Sequence, residues 1–258
     1  MAEGLKALPA TEDAQQFYDQ VWFAWRDMQR YAPAPRYLRR MVLREMSRLS
    51  FNTVLDVGCG EGSLLQIVAR AYPTATLGGS ELSETALRFC RNTLPDAMFF
   101  KLDLERDDVT GITYDVALCV QVLEHLKDDV TALKKLHALC RRAVVISVPG
   151  GKLDEHGRKN GHYRHYTKQD LVEKMTRVGF RVTKAFSCGW PVHSLVYRQL
   201  VRWLPRESVE RVGLGAYSPA KLALMRVVDL AYRINLSFIG TEVIAVGVPE
   251  HAGLGHTA

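Results

Sequence analysis

The feature that most limits the fold of this chain is the run Val54-Leu55-Asp56-Val57-Gly58-Cys59-Gly60-Glu61-Gly62-Ser63. An apolar run ending in three closely spaced glycines reads as a buried strand that turns sharply into a helix. Glycine lets the backbone bend tightly there and come close to a ligand. From residue 51 onward the chain keeps this alternation. Short apolar runs at 53–58, 75–81, 97–102, 114–120 and 143–149 are followed by runs at 180–188 and 241–248. Helical stretches lie between the first five, clearest after Gly62, after Ser83 and over 126–139. Strands buried on both faces and separated by helices predict a doubly wound, mostly parallel sheet.

The flanks are helical in pattern. Between residues 11 and 50, Phe17, Trp22, Trp25, Tyr37, Leu38, Val42 and Met46 supply apolar positions, and Pro33 and Pro35 split the stretch in two. Thr167 and Asp170 start a helix in capping-box fashion, and Gly179 stops it. Residues 190–240 hold two amphipathic stretches. One carries Val196, Leu200, Trp203 and Leu204 opposite Arg198 and Arg202; the other starts at Ser218-Pro219 with Leu224, Val227, Val228 and Ala231 as its stripe. Residues 1–10 and 251–258 read as tails. The expected organisation is a helical cap (11–50), an α/β core (51–189 and 241–249) and a helical insertion (190–240).

The chemistry of the glycine turn is set by its charges. The spacing is GxGxG rather than GxGxxG, with carboxylates at Asp56 and Glu61 on either side. Negative charge repels a pyrophosphate and attracts a ligand carrying an ammonium or a sulfonium. That counts against a nicotinamide-dependent oxidoreductase. The second strand ends in Gly79-Ser80-Glu81-Leu82-Ser83, where a carboxylate can accept from both hydroxyls of an unphosphorylated ribose. The third ends in Lys101-Leu102-Asp103-Leu104, at the same edge of the sheet.

In order and spacing, VLDVGCGEG, GSELS, KLDLE and YDVALCVQVLEHL resemble the class I S-adenosylmethionine-dependent methyltransferases, over roughly residues 51–188. The resemblance implies a seven-stranded sheet whose last strand (241–248) is antiparallel, with S-adenosylmethionine as cofactor. It assigns Asp56, Gly58 and Gly60 to the methionine moiety, Glu81 to the ribose, Asp103 and Leu104 to adenine, and Gln121 to closing the site, with Cys59 and Leu82 also at the cofactor. Glu81 stands where aspartate is commoner, and Cys59 reads as a small filler, with no basic partner beside it in sequence. Phe17, Tyr18 and Trp22 resemble the family's variable cap over the cofactor, and equally suit a core.

Methyl transfer from a sulfonium needs the acceptor atom held in line and water excluded, and a hydroxyl acceptor also gains from a base. Val122-Leu123-Glu124-His125-Leu126 resembles the corresponding stretch of small-molecule methyltransferases, which makes His125 a candidate base. The polar loop 150–166 suits a lid, and its HYRHY portion resembles ubiquinone-type O-methyltransferases. His162, Arg164 and His165 are therefore expected at the acceptor, unless Arg164 and Tyr166 only pin the loop. No metal is expected, since carboxylate and cysteine partners at ligand spacing are not visible around the histidines.

Composition bounds the rest. The five cysteines are scattered without a CxxC pair, which suits reduced thiols in a cytoplasmic protein. No signal-peptide pattern or apolar run long enough to span a membrane is present. A net charge of +6 over 258 residues permits anionic partners without demanding one. The expected partner is a small-molecule acceptor methylated at oxygen or nitrogen, with no nucleic acid, peripheral lipid contact allowed, and a monomer or homodimer. RNA or protein methylation and a non-catalytic cofactor-binding module are the alternatives. The insertion is expected to roof the acceptor pocket, with Trp190, Tyr197 or Trp203 as apolar wall, or to form a dimer contact.

Overall fold

The computed structural model describes residues 14–197 and 215–250. Two helices open it, α1 (Ala14–Tyr31) and α2 (Pro33–Met46). The break falls at Ala32, and Pro33 starts the second helix where its missing N–H costs nothing. The core follows as β1 (Thr53–Val57), α3 (Ser63–Ala71), β2 (Thr76–Glu81), α4 (Glu84–Thr93), β3 (Met98–Lys101), β4 (Tyr114–Val120), α5 (Asp129–Leu139) and β5 (Cys140–Pro149). A short helix α6 (Glu155–Lys159), then α7 (Lys168–Arg177) and β6 (Phe180–Cys188), lead into the insertion, and β7 (Glu242–Pro249) ends the sheet.

The seven strands lie in the order β3-β2-β1-β4-β5-β7-β6, with β7 antiparallel to both neighbours. This is the expected doubly wound sheet. Along β1, Leu55 and Val57 enter one buried cluster with Leu133, Leu136 and Met175, while Val54 enters another with Leu65, Val68, Val42 and Met46. Both faces are thus covered, which is why the strands read as continuous apolar runs. β1 and β4 run parallel, but successive strands are added outward in opposite directions from this pair, and ligands of open sheets bind in the crevice at such a switch point. The glycine turn and the segment after β4 flank it.

Element ends follow their caps. Ser83 accepts from the Ala86 N–H and starts α4, and Thr167 accepts from the Asp170 N–H and starts α7. The helix expected over 126–139 begins only at Asp129, after a 3-10 turn at Leu123–His125, and β5 starts at Cys140 rather than 143.

The insertion contains a π-helical turn, Val192–Tyr197, and α8 (Pro219–Ala231), capped by Ser218 as its sequence foretells. Its expected stripe is not the buried one. Leu224 and Val227 are exposed, whereas Val228 and Tyr232 face the core and Asp229 is buried against Arg40 (2.7 Å) and Arg36 (3.2 Å) of α2. The need to neutralise those two guanidiniums with Asp229 rotates the helix away from its apolar periodicity. Leu200, Trp203, Leu204, Arg198 and Arg202, the Tyr197 side chain and both expected tails lie outside the described residues. Among the described residues no helix is long and apolar enough to cross a membrane.

Candidate functional site

Three glycines after β1 adopt positive φ: Gly58 at 72°, Gly60 at 56° and Gly62 at 82°. At Gly60 a Cβ would also run into the Trp22 ring at 2.5 Å, and at Gly58 into Val122 at 2.4 Å. The turn is therefore shaped for close approach from two sides, by α1 and by the segment after β4. Its fold is pinned by the Gly58 and Cys59 N–H groups, which donate to the Ser80 carbonyl at 2.8 and 3.0 Å.

Glu81 closes the turn from β2. Its carboxylate accepts from the Gly60 N–H (3.0 Å), the Leu82 N–H (2.8 Å) and the Ser83 N–H (3.2 Å). A carboxylate offers about four acceptor positions, so capacity for a ligand hydroxyl remains. Asp56 is buried at the end of β1, and burial, followed by the charges of Glu81 and Glu61, pushes its carboxyl up to about 8. Burial also raises Glu61, although Ser63 donates to it and Arg39 and Arg30 act against the shift. Three buried carboxylates thus surround a glycine turn with too little positive charge to balance them, and a cationic ligand would supply it.

The cap over this site comes from α1. Trp22 is buried on Gly60, and Tyr18 packs edge-on against His125 with ring centroids 6.4 Å apart. Burial, then the charges of Glu81 and Glu124, raises the Tyr18 hydroxyl. Sequence reading missed what anchors the helix: Asp19 accepts from the Ser83 hydroxyl at 2.6 Å and from the Thr85 N–H at 3.0 Å. An acid 64 residues before the group it bonds leaves no local signal.

Beyond the cap lies the other half of the crevice. Gln121 ends β4 at φ 57°, an unusual conformation for a side-chain-bearing residue, and donates to Glu242 at 3.1 Å. Glu242 in turn meets His193 of the insertion at 3.0 Å. Glu124 is 1% exposed, and among the described residues neither of its carboxylate oxygens has a hydrogen-bond partner. Burial, with a further contribution from Glu242, holds its carboxyl far above the usual range. His125 is pushed down to about 4 by burial, and His162 to about 3 by burial and then by the neighbouring His125 and His165. Both rings are neutral near pH 7, and they lie 4.7 Å apart, edge to face.

Several expected positions differ. His165 stands behind His162, bonded to its Nδ1 at 2.9 Å and to the Lys152 carbonyl at 3.2 Å. Arg164 does not face this cluster. It donates to the Leu126 and Lys127 carbonyls at 2.6 Å each and lies 3.4 Å from Asp129, while the Tyr166 hydroxyl donates to Asp129 at 2.8 Å. These two residues pin the loop, as the alternative reading of it held. Leu104 is buried in the main core cluster, and Asp103 accepts from the Glu105 N–H at 2.9 Å and pairs with Arg106 at 3.7 Å. The Cys59 thiol points to Cys90 (3.9 Å), and its hydrogen bond to that thiol, then burial, raise it well above the usual thiol range, so it is a filler. The carboxylate partner that sequence spacing did not reveal for the histidines is Glu124, brought within reach by the 3-10 turn.

Comparison with known proteins agrees with this geometry. Residues 55–146 match a family model described as a methyltransferase domain. The trans-aconitate 2-methyltransferase of Afipia carboxidovorans is 30% identical over 97 residues, 38% of this chain and 38% of that protein. The chain thus matches less than half the length of this relative. The phosphoethanolamine N-methyltransferase 2 of Haemonchus contortus, solved with S-adenosyl-L-methionine, has TM-score 0.62 at 14% identity over 94% of this chain and 61% of that one. The [4+2]-cyclase SpnF has TM-score 0.64 at 16% identity over 96% and 99%. Over residues 55–146 the chain is thus similar to methyltransferase domains, and its fold is one shared by a solved S-adenosylmethionine-binding methyltransferase. The residues present fit that cofactor: glycines that admit no Cβ, an acceptor carboxylate on β2, and buried acids short of a counter-charge.

Proposed function

We propose that the chain transfers a methyl group from S-adenosylmethionine to an oxygen or nitrogen of a small-molecule acceptor. The observation that carries this reading is the set of under-neutralised buried carboxylates, Asp56, Glu61 and Glu81, around a glycine turn that Trp22 seals. The cofactor supplies an electrophilic methyl group on a good leaving group. Glu81 would accept from the ribose hydroxyls, and Asp56 would offset the cofactor's positive charge. Trp22 and Tyr18 would exclude water from the crevice. His125 and His162, neutral at physiological pH, are placed to take a proton from an acceptor hydroxyl or ammonium. Roles for Gly58, Cys59, Gly60, Leu82 and Gln121 at the cofactor follow from their place in the turn and at its rim. The insertion reaches the rim through His193, which meets Glu242 of β7, and Ser194, which bonds Thr241, consistent with a wall of the acceptor pocket.

Five free, buried cysteines suit a cytoplasmic enzyme, and a monomer or homodimer without nucleic acid is the simplest working form. A screen of hydroxylated, carboxylated and amino metabolites with methyl-labelled cofactor tests the proposal. Label should enter at least one acceptor, and the His162→Ala variant should slow that transfer. Because a cyclase shares this fold, transfer rather than binding is the deciding readout.

A further inference from the structure

The segment after β4 and the loop after β5 bring together three side chains whose lone pairs have no donor. Ligand-type atoms of Glu124, His125 and His162 all lie within 4.8 Å of one another. Both Glu124 oxygens and the His125 Nδ1 are buried without a hydrogen-bond partner among the described residues. The tautomers follow from what surrounds the rings. The Gly161 backbone bonds His125, and since Nδ1 is unpartnered, the bond falls to Nε2. On the other side, the Lys152 carbonyl can only accept, so the His165 Nδ1 carries the proton. The His165 Nε2 must then accept from the His162 Nδ1, leaving a lone pair on the His162 Nε2. A buried carboxyl group and two imidazole lone pairs therefore converge, and the one proton they can share is that of Glu124, which a bound cation would displace. Native proteins rarely leave such groups unpaired.

We propose that Glu124, His125 and His162 form a binding site for a divalent transition-metal ion. Two nitrogens and one carboxylate suit zinc, iron(II), manganese or cobalt better than calcium or magnesium, which prefer all-oxygen sites. Each histidine is already oriented through its other nitrogen, His125 by Gly161 and His162 by the chain through His165 to Lys152. Ligand atoms around an ion at about 2.1 Å lie at most about 4.2 Å apart, so binding draws the three side chains slightly closer. His162 follows α6 in the loop, and positive φ at Gly151 and Gly161 marks where that loop turns. Three protein ligands leave coordination positions open. On the methyltransferase reading, on which this part of the inference rests, those positions meet an oxygen of the acceptor, and favour substrates with a hydroxyl or carboxylate.

The test uses the full-length chain, stripped with a chelator and titrated with Co2+, whose visible bands report nitrogen ligation. One equivalent should bind. Glu124→Gln and His162→Ala should abolish the bands, and His165→Ala, a positioning change, should weaken affinity by about 10- to 100-fold. Calorimetry with S-adenosylmethionine on the same Glu124→Gln protein should show affinity within about twofold of the parent, establishing that the variant is folded. Absence of Co2+ binding in the parent at millimolar metal, or equal affinity in all variants, overturns the site. Co2+ binding that depends on Glu124 without any binding of S-adenosylmethionine leaves the metal site standing and removes the methyltransferase reading instead.

Discussion

Replacing Asp56 with Asn should stabilise the ligand-free protein while weakening its hold on the cofactor. In the fold burial pushes the Asp56 carboxyl up to about 8, against an ordinary value of 3.8 for an aspartate in water. A carboxyl raised in this way takes up a proton on folding. Its contribution is most favourable below pH 4 and is lost as pH rises through about 8. At pH 7 the cost is at most about 1.4 kcal/mol for each of roughly three pH units, about 4 kcal/mol, and water penetration would bring it nearer 2. At pH 5 it shrinks to about 1.5 kcal/mol. Asn has nearly the same shape and no proton to bind, so the variant escapes this cost. Urea unfolding at pH 5 and pH 8 measures it through the midpoint at constant slope. The variant should gain on the parent as pH rises, and the gain should vanish when saturating S-adenosylmethionine is added. A variant that is less stable at both pH values, or that tracks the parent across them, would refute the picture of an under-neutralised acid.

Glu81→Ala should lower affinity for S-adenosylmethionine by about 1.5–3 kcal/mol, read by calorimetry, because a charged acceptor of ribose hydroxyls is lost. Trp22→Ala should weaken cofactor binding and cost about 3 kcal/mol in urea unfolding, since the ring is buried on Gly60. Asp129→Ala should destabilise by about 3 kcal/mol, because it leaves Lys174, Arg164 and the Tyr166 hydroxyl without their shared acceptor. Single Ala replacements of His162 and His165 should reduce turnover more than cofactor affinity, and normal turnover in both would make the loop structural.

The sheet was legible because its central strands β1, β4 and β5 are buried on both faces and read as continuous apolar runs, although the edge strands β3 and β6 are partly exposed. That Asp56 and Glu81 lie at one edge was legible too, since strand ends of an open parallel sheet share that edge. What escaped is non-local. Asp19 caps α4 from another element, Asp229 turns α8 against its own apolar periodicity to meet Arg36 and Arg40, and Arg164 clamps carbonyls near Asp129 rather than a substrate. In each case a charge paired across the fold decided the orientation, and no spacing along one element encodes that pairing. Glu124 was visible as part of VLEHL, but its convergence with His162 depends on how the loop after β5 folds back, through the Tyr163 N–H to the Glu124 carbonyl at 2.8 Å.

The most direct measurement is calorimetric titration of the full-length chain with S-adenosylmethionine and, separately, with NAD, each repeated on Glu81→Ala. S-adenosylmethionine should bind at one site per chain, more weakly in the variant, and NAD should show no comparable affinity because its pyrophosphate meets Asp56 and Glu61. Tighter binding of NAD, or S-adenosylmethionine binding that ignores Glu81, would contradict a cationic cofactor held by the carboxylates of this glycine turn.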